Sequence, residues 1–282
     1  MIKVGSLTEG LWYEVDEGVV GDKKFPDGTP LIKTPEVKGD KVIVTWMFDG
    51  MEEIFTVYNV GRKYKDLGYK VELKMPYVPN ARQDRVKKSE DVFTLKYMAE
   101  IINLVGFDKV EVLDVHSDVS LALLNKVENV TPEEFIKKVK NEIGLKDTDI
   151  VFFPDNGSQK RYGDMVKHKQ AYGVKNRDWA TGEIKGLDVI GDIPSEPFDV
   201  LIVDDISSYG GTFYFSAKKL KELGARKIYL YVTHCENSIL QGKLIEGEES
   251  YLIEKVFTTN SIYRGNHPKI EVIDIGIKNR AF

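Results

Sequence analysis

Six apolar, β-rich runs that stop abruptly at polar residues constrain this chain more than any other feature. They read "KVIVTW" (41–46), "KVELKMPY" (70–77), "KVEVLDVHSD" (109–118), "DIVFFPDNG" (149–157), "DVLIVDDISS" (199–208) and "KIYLYVTH" (227–234). Their near-continuous hydrophobicity predicts strands buried on both faces. Helical patterns lie between them. "SEDVFTLKYMAEIINLVG" offers Ser89 as an N-cap and Gly106 as a stop. "TPEEFIKKVKNEIG" offers a Thr131–Glu134 capping box, Pro132 at the first helical position and Gly144 as a stop. A third pattern, "GTFYFSAKKLKELG", ends at Gly224. Strands alternating with helices predict an α/β fold with mainly parallel sheets flanked by helices. The 282 residues suffice for two cores of roughly 140 residues each.

In parallel sheets ligands bind beyond the carboxyl ends of the strands. Here those ends carry His116, Asp155, Asp204, Asp205 and His234. Each alone is an ordinary polar start to a loop; together they mark a candidate site. A net charge of −5 supplies no cationic field for nucleic acid or an anionic membrane. The single cysteine, Cys235, excludes an intrachain disulfide and a cysteine-based zinc site. The first residues, "MIKVGSLTEG", have no apolar core of signal-peptide length, and no stretch is long enough to span a bilayer. A soluble, cytoplasmic protein is the expectation.

The most informative stretch is "DVLIVDDISSYGGTF" (199–213), where an apolar run meets two acids and then Gly210-Gly211-Thr212. Backbone N–H groups at a helix start attract anions, and glycines let a phosphate approach closely. Asp204 and Asp205 cannot bind that phosphate. They can accept hydrogen bonds from vicinal sugar hydroxyls or hold a divalent ion. Acids beside an amide nest therefore point to a ribose phosphate. A tight turn with an acidic edge is the bland alternative.

This stretch resembles the phosphoribosyl-pyrophosphate loop of type I phosphoribosyltransferases and ribose-phosphate pyrophosphokinases. Further segments resemble the pyrophosphokinases specifically. "MPYVPNARQDRVKKS" (75–89) is similar to their ATP-site segment, and "FPDGT" (25–29) to their adenine-binding turn. "VLDVHSD" (112–118) resembles their Asp-Leu-His segment, and "FPDNGSQKRYG" (153–163) their Pro-Asp-x-Gly segment followed by Lys-Arg. "KNRD" (175–178) stands at their catalytic Lys-x-Arg, and "VTHCENS" (232–238) at their Thr-His-x-x-x-Ser. The order holds from about residue 20 to residue 263.

The resemblance implies two similar type I phosphoribosyltransferase-like domains, an ATP-binding one over 1–130 and a ribose-phosphate-binding one over 131–282. It implies Mg2+-dependent transfer of the β,γ-diphosphoryl group of ATP to the anomeric hydroxyl of ribose 5-phosphate, with AMP released. Lys175 and Arg177 would be catalytic, on a segment (171–186) that has no clear periodicity and reads as a mobile lid. Phe25, Asp27, Arg82, Gln83 and Asp84 would bind ATP. Asp204, Asp205, Ser207, Ser208, Tyr209, Gly210, Gly211 and Thr212 would bind the sugar phosphate. His116 and Asp155 would hold magnesium or its water shell. The partners implied are ATP and a ribose-5-phosphate-containing acceptor, with no nucleic acid and no membrane, in a homo-oligomer of two or more chains.

The sequence also departs from the family pattern. The usual loop reads Asp-Asp-x-x-Asp-Thr-x-Gly-Thr; here Ser208 replaces the third acid and Tyr209 the next threonine. A phenol for a small hydroxyl leaves ADP-ribose as an alternative acceptor. It presents the same free anomeric ribose, and its product would serve NAD resynthesis. Thr29 replaces the usual Glu of the adenine turn, Glu90 replaces an Arg, and the C-terminal helix is absent after "IDIGIKNRAF". The last two put the family's usual hexamer and ADP regulation in doubt. An inactive regulatory family member is the alternative of another class, against which Lys175 and Arg177 argue.

Overall fold

The computed structural model describes residues 1–8, 11–14, 23–177 and 184–276. It divides into two compact units, Met1–Thr131 joined by Ile275 and Gly276, and Pro132–Asp274.

The first unit is built on six strands: β1 (Ile2–Thr8), β2 (Leu11–Glu14), β3 (Lys41–Trp46), β4 (Lys70–Lys74), β5 (Lys109–Leu113) and β6 (Val127–Val130). Their order is β2-β1-β3-β4-β5-β6. β3 to β6 run parallel, and β1 is antiparallel to both neighbours. Val42, Val44 and Trp46 are buried on one face of β3, and Ile43 and Thr45 on the other, as a strand covered on both faces requires. α1 (Glu53–Asp66), α2 (Thr94–Val105) and α3 (Asp118–Leu123) complete the unit. Gly61 lets α1 approach α2 closely, because a Cβ there would lie 2.5 Å from Val105 Cγ1.

The second unit has seven strands: β7 (Ile150–Phe153), β8 (Gln170–Arg177), β9 (Ile184–Gly191), β10 (Phe198–Ser207), β11 (Ala225–Cys235), β12 (Lys255–Thr259) and β13 (Ile270–Ile273). The order is β13-β12-β11-β10-β7-β8-β9, all parallel except the β8–β9 pair. α4 (Glu133–Glu142) and α5 (Asn156–Val166) cover one face, and α6 (Gly211–Glu222) the other. β10 shows why. Val200 and Ile202 pack with Phe213 and Leu220 of α6, while Leu201 and Val203 pack with Ile136 of α4 and Tyr162 of α5. Alternate side chains thus feed two cores, and the strand must be apolar throughout.

Three expectations need correction. α2 starts at Thr94 rather than near Ser89, and no side chain caps it. Asp91 Oδ2 instead accepts from the N–H groups of Lys87 and Lys88, both at 2.9 Å, which closes a separate turn upstream. The Thr131–Glu134 capping box does not form: Pro132 is itself the N-cap residue of α4, and no side-chain cap is made. Glu133 and Glu134 then occupy the first turn, where their charge favours the helix dipole. Finally, residues expected to form a lid loop are largely strand, since β8 and β9 pair from Ala171↔Gly191 to Arg177↔Ile184. Glycines at 173, 186 and 191 and mixed polarity hid the alternation that normally announces a strand.

Candidate active site

In the second unit the candidate residues gather where β7, β10 and β11 end. Asp155 follows β7 and caps α5: its Oδ1 accepts from Gly157 N at 3.0 Å and Ser158 N at 3.1 Å. One turn on, Ser158 Oγ donates to Asp204 Oδ1 at 2.7 Å. A further turn on, Arg161 Nη1 lies 3.1 Å from Asp205 Oδ2. Residues three apart share a helix face. α5 therefore offers a carboxylate, a hydroxyl and a guanidinium in one line along the strand ends. Asp204 also accepts from the Asp205 N–H at 3.1 Å.

Burial, then the charges of Asp205 and Asp155, push Asp204 well above the usual carboxylate range, against the opposing Ser158 hydrogen bond. A carboxyl whose pKa rises on folding favours the folded state at low pH and loses that advantage as pH rises. Ionising Asp204 thus carries a local cost, which a bound cation or donor relieves. Asp204→Asn, which keeps an oxygen for Ser158, is expected to raise the melting temperature of the ligand-free protein. The expected gain is ~2–4 °C, corresponding to about 1 kcal/mol. A lower melting temperature at neutral pH would contradict this account of the acid pair.

The loop from β10 to α6 is held from below. Gly210 is the N-cap residue of α6, with φ 78°, and no side chain caps the helix. A Cβ on Gly210 would lie 2.7 Å from Leu244 Cδ1, and one on Gly242 only 1.9 Å from the Tyr209 carbonyl oxygen. Glycine at both positions lets segment 242–244 press against the loop backbone. Gly211 and Thr212 at the helix start are exposed. The Ser208 and Ser238 hydroxyls lie 3.1 Å apart, Ser238 donates to Glu236 Oε2 at 3.3 Å, and Ser207 Oγ approaches the Ser208 carbonyl at 3.3 Å. The Tyr209 ring is 58% exposed beside them. His234, by contrast, is buried, with Nδ1 2.8 Å from Ser261 Oγ in a hydroxyl cluster around the Thr233 carbonyl. It is part of the packing of β11 against β12 rather than of the exposed loop.

In the first unit Phe25–Thr29 forms a tight turn, with Gly28 N donating to Phe25 O at 2.9 Å and Gly28 at φ 87°. Asp27 Oδ1 accepts from the Thr29 hydroxyl and N–H, and these bonds hold its carboxyl below the usual range. Thr29 is thus the residue that fixes Asp27. Phe25 leaves half its surface exposed. A cleft of about 550 Å³ opens beside the turn, lined by Asp27, Gly28, Thr29, Glu53 and Phe55 among others. Asp84 is buried, and its two oxygens pair with Arg85 at 2.6 and 2.8 Å. That pair, with smaller contributions from Ser117 and His116, brings its carboxyl down to about 2. The "RQD" and "HSD" segments are therefore neighbours. Arg82 and Gln83 are exposed, and Gln83 accepts from Thr94 Oγ1.

Lys175 and Arg177 lie on β8, opposite Leu187 and Ile184 of β9, with a shift in register between Asn176 and Arg177. Their side chains, and residues 178–183, lie outside the described residues. Arg161 and Ser238 fall in the Lys-Arg and Thr-His-x-x-x-Ser segments, where the sequence assigned them no role, and Ser158 and Gly242 were not legible as site residues. The available signal was the Asp155, Ser158, Arg161 spacing after a strand.

Among the described residues no group of three or more His, Cys, Asp or Glu is arranged to hold a metal. The donor chemistry nevertheless fits magnesium. Asp204 is burdened by the charges of Asp205 and Asp155, and magnesium typically takes only one or two carboxylates, the rest being water and substrate phosphates. No helix among the described residues is long and apolar enough to cross a membrane.

No family model matches the chain. The chain is 29% identical over 277 residues to the ribose-phosphate pyrophosphokinase of Pyrococcus furiosus, covering 93% of this chain and 94% of that protein. It is 26% identical to the ribose-phosphate pyrophosphokinase of Saccharolobus solfataricus, with 96% of each covered. It is 30% identical to that of Aquifex aeolicus over 71% of this chain and 65% of the relative. Among solved structures, phosphoribosylpyrophosphate synthetase from Mycobacterium smegmatis superposes with a TM-score of 0.70 at 18% identity, over 90% of this chain and 85% of that one. That likeness shows the fold: mainly parallel sheets flanked by helices, of phosphoribosyltransferase type.

Proposed function

We propose that this chain, which belongs to the ribose-phosphate pyrophosphokinase family, transfers the β,γ-diphosphoryl group of ATP to the anomeric hydroxyl of a ribose 5-phosphate moiety and releases AMP. The observation that carries the reading is the end of β10: an acid pair set by α5, followed at once by a helix start that no side chain caps. Asp204 and Asp205 accept hydrogen bonds from the ribose 2- and 3-hydroxyls. The amides of Ser207–Thr212, with the Ser208 and Thr212 hydroxyls, take the 5-phosphate. Phe25 stacks on adenine, Asp27 accepts from its amino group, and Arg82, Gln83 and Asp84 serve ATP binding. Lys175 and Arg177 neutralise charge that develops on the transferring group. His116 and Asp155 are the candidate residues for holding Mg2+ or its water shell, and the ion would supply charge neutralisation on the polyphosphate. The working form is a cytoplasmic homo-oligomer, as the family pattern suggests. AMP release from ATP, dependent on magnesium and a ribose phosphate, tests this reading. A catalytically silent regulatory chain would release none.

ADP-ribose is the second acceptor to consider, and Tyr209 favours it. Its exposed ring beside the phosphate loop offers a stacking face that a threonine would not. If ADP-ribose is the acceptor, Tyr209→Thr is expected to weaken its binding by a factor of roughly 2 to 13, from the loss of ~0.5–1.5 kcal/mol of stacking. Ser208→Asp with Tyr209→Thr is then expected to raise the preference for ribose 5-phosphate. An unchanged ratio of the two sugars in the double variant removes Tyr209 as a specificity residue.

A further inference from the structure

We propose that Arg161 is a positioning residue for acceptor binding, acting through Asp205. The inference rests on the reading above, in which the acid pair binds the sugar hydroxyls. The Asp205 side chain is only 6% exposed, on the face covered by α5. A buried carboxylate with no counter-charge is strongly disfavoured. Arg161 supplies that charge at 3.1 Å from Oδ2.

The guanidinium is itself supported. Its Cζ stands 5.6 Å from the ring centroid of Tyr162, and Nη1 lies 3.5 Å from the Tyr162 hydroxyl. Tyr162 is fully buried in the core formed by α4, α5 and the sheet. A rigid core residue thus steadies the arginine, and the arginine steadies the acid. The helix start is fixed in turn by Asp155, so the line Asp155, Ser158, Arg161 sets both acids from one element. An acid held this way keeps its orientation before the sugar arrives, and less ordering remains to be done on binding. Arg161 needs no contact with the substrate for this role.

The test is steady-state AMP release by the full chain with ATP, magnesium and ribose 5-phosphate, using ADP-ribose in a parallel arm. Arg161→Gln is expected to raise KM for the acceptor at least about 10-fold, with kcat and KM for ATP within about 3-fold of wild type. Arg161→Lys is expected to recover most of the loss, since one cation–carboxylate contact is what must be replaced. Arg161→Gln added to Asp205→Asn is expected to change KM by less than about 2-fold, because the two residues act as one unit. A kcat loss of about 100-fold in Arg161→Gln would make the residue catalytic and overturn the proposal. So would additive losses with Asp205→Asn, or an acceptor KM that stays at the wild-type value. Failure of Arg161→Lys to recover any acceptor affinity, in a variant that melts like wild type, would also overturn it. Wild-type protein that releases no AMP with either sugar would refute the underlying reading, and this inference with it. Wild-type activity with any of the other contrary results refutes the inference alone.

Discussion

Replacing Lys175 or Arg177 by alanine is expected to lower kcat by about 10²-fold or more, a loss of about 2.7 kcal/mol of transition-state stabilisation, with a smaller change in KM for ATP. The expectation follows from the charge of the reaction. An oxygen nucleophile must approach a polyphosphate, so fixed cations contribute most where new charge develops. The structure adds a scaffold to that argument. The two residues sit on a strand paired to β9, with a shift in register between Asn176 and Arg177. A strand places a cation more reproducibly than an unpaired loop does. Steady-state kinetics of AMP formation in both variants provide the check. Normal turnover in both would show that these cations do not serve the chemistry.

The double substitution Asp204→Asn and Asp205→Asn is expected to abolish acceptor binding while leaving ATP binding measurable. Asparagine can still accept through one oxygen, but it lacks the charge that pairs with Arg161 and the second strong acceptor for vicinal hydroxyls. Charge-assisted hydrogen bonds are roughly twice as strong as neutral ones, and here both acids lose that advantage together. The residues proposed for ATP (Phe25, Asp27, Arg82 and Gln83) belong to the other unit, Met1–Thr131. Calorimetry with ribose 5-phosphate and with ATP separates the two. Loss of ATP affinity with acceptor affinity intact would reverse the assignment of substrates to units.

Much of the architecture was readable because its physics is local. Six apolar runs became β3, β4, β5, β7, β10 and β11, and Gly106, Gly144 and Gly224 stop helices with positive φ. β1, β2, β6, β12 and β13, and all of α1, α3 and α5, were not read. α5 in particular carries few apolar residues, and its start is set by Asp155, which reads equally well as a loop acid. The acid pair and glycine loop were legible as chemistry, since few purposes join two carboxylates to an open amide turn. What sequence spacing could not show is how the pair is held. Ser158 and Arg161 reach Asp204 and Asp205 from 46 and 44 residues away, a relation that exists only once α5 lies on the sheet. Likewise Gly242 reads as an ordinary loop glycine until the Tyr209 carbonyl is seen against it. The misread caps at Ser89 and Thr131 differ in cause: near Ser89 the backbone is taken up by the turn that Asp91 closes, and at Thr131 the helix begins one residue later, on Pro132.

The central claim is that this chain joins a diphosphoryl group from ATP to the anomeric oxygen of a ribose phosphate. The most direct measurement is product analysis by mass spectrometry and 31P NMR after incubating the protein with ATP and magnesium, with ribose 5-phosphate or ADP-ribose as acceptor. The account predicts AMP and a 1-diphosphorylated sugar in equal amounts, and neither when acceptor or magnesium is omitted. ADP and a monophosphorylated product, or no consumption of ATP with either sugar, would contradict it.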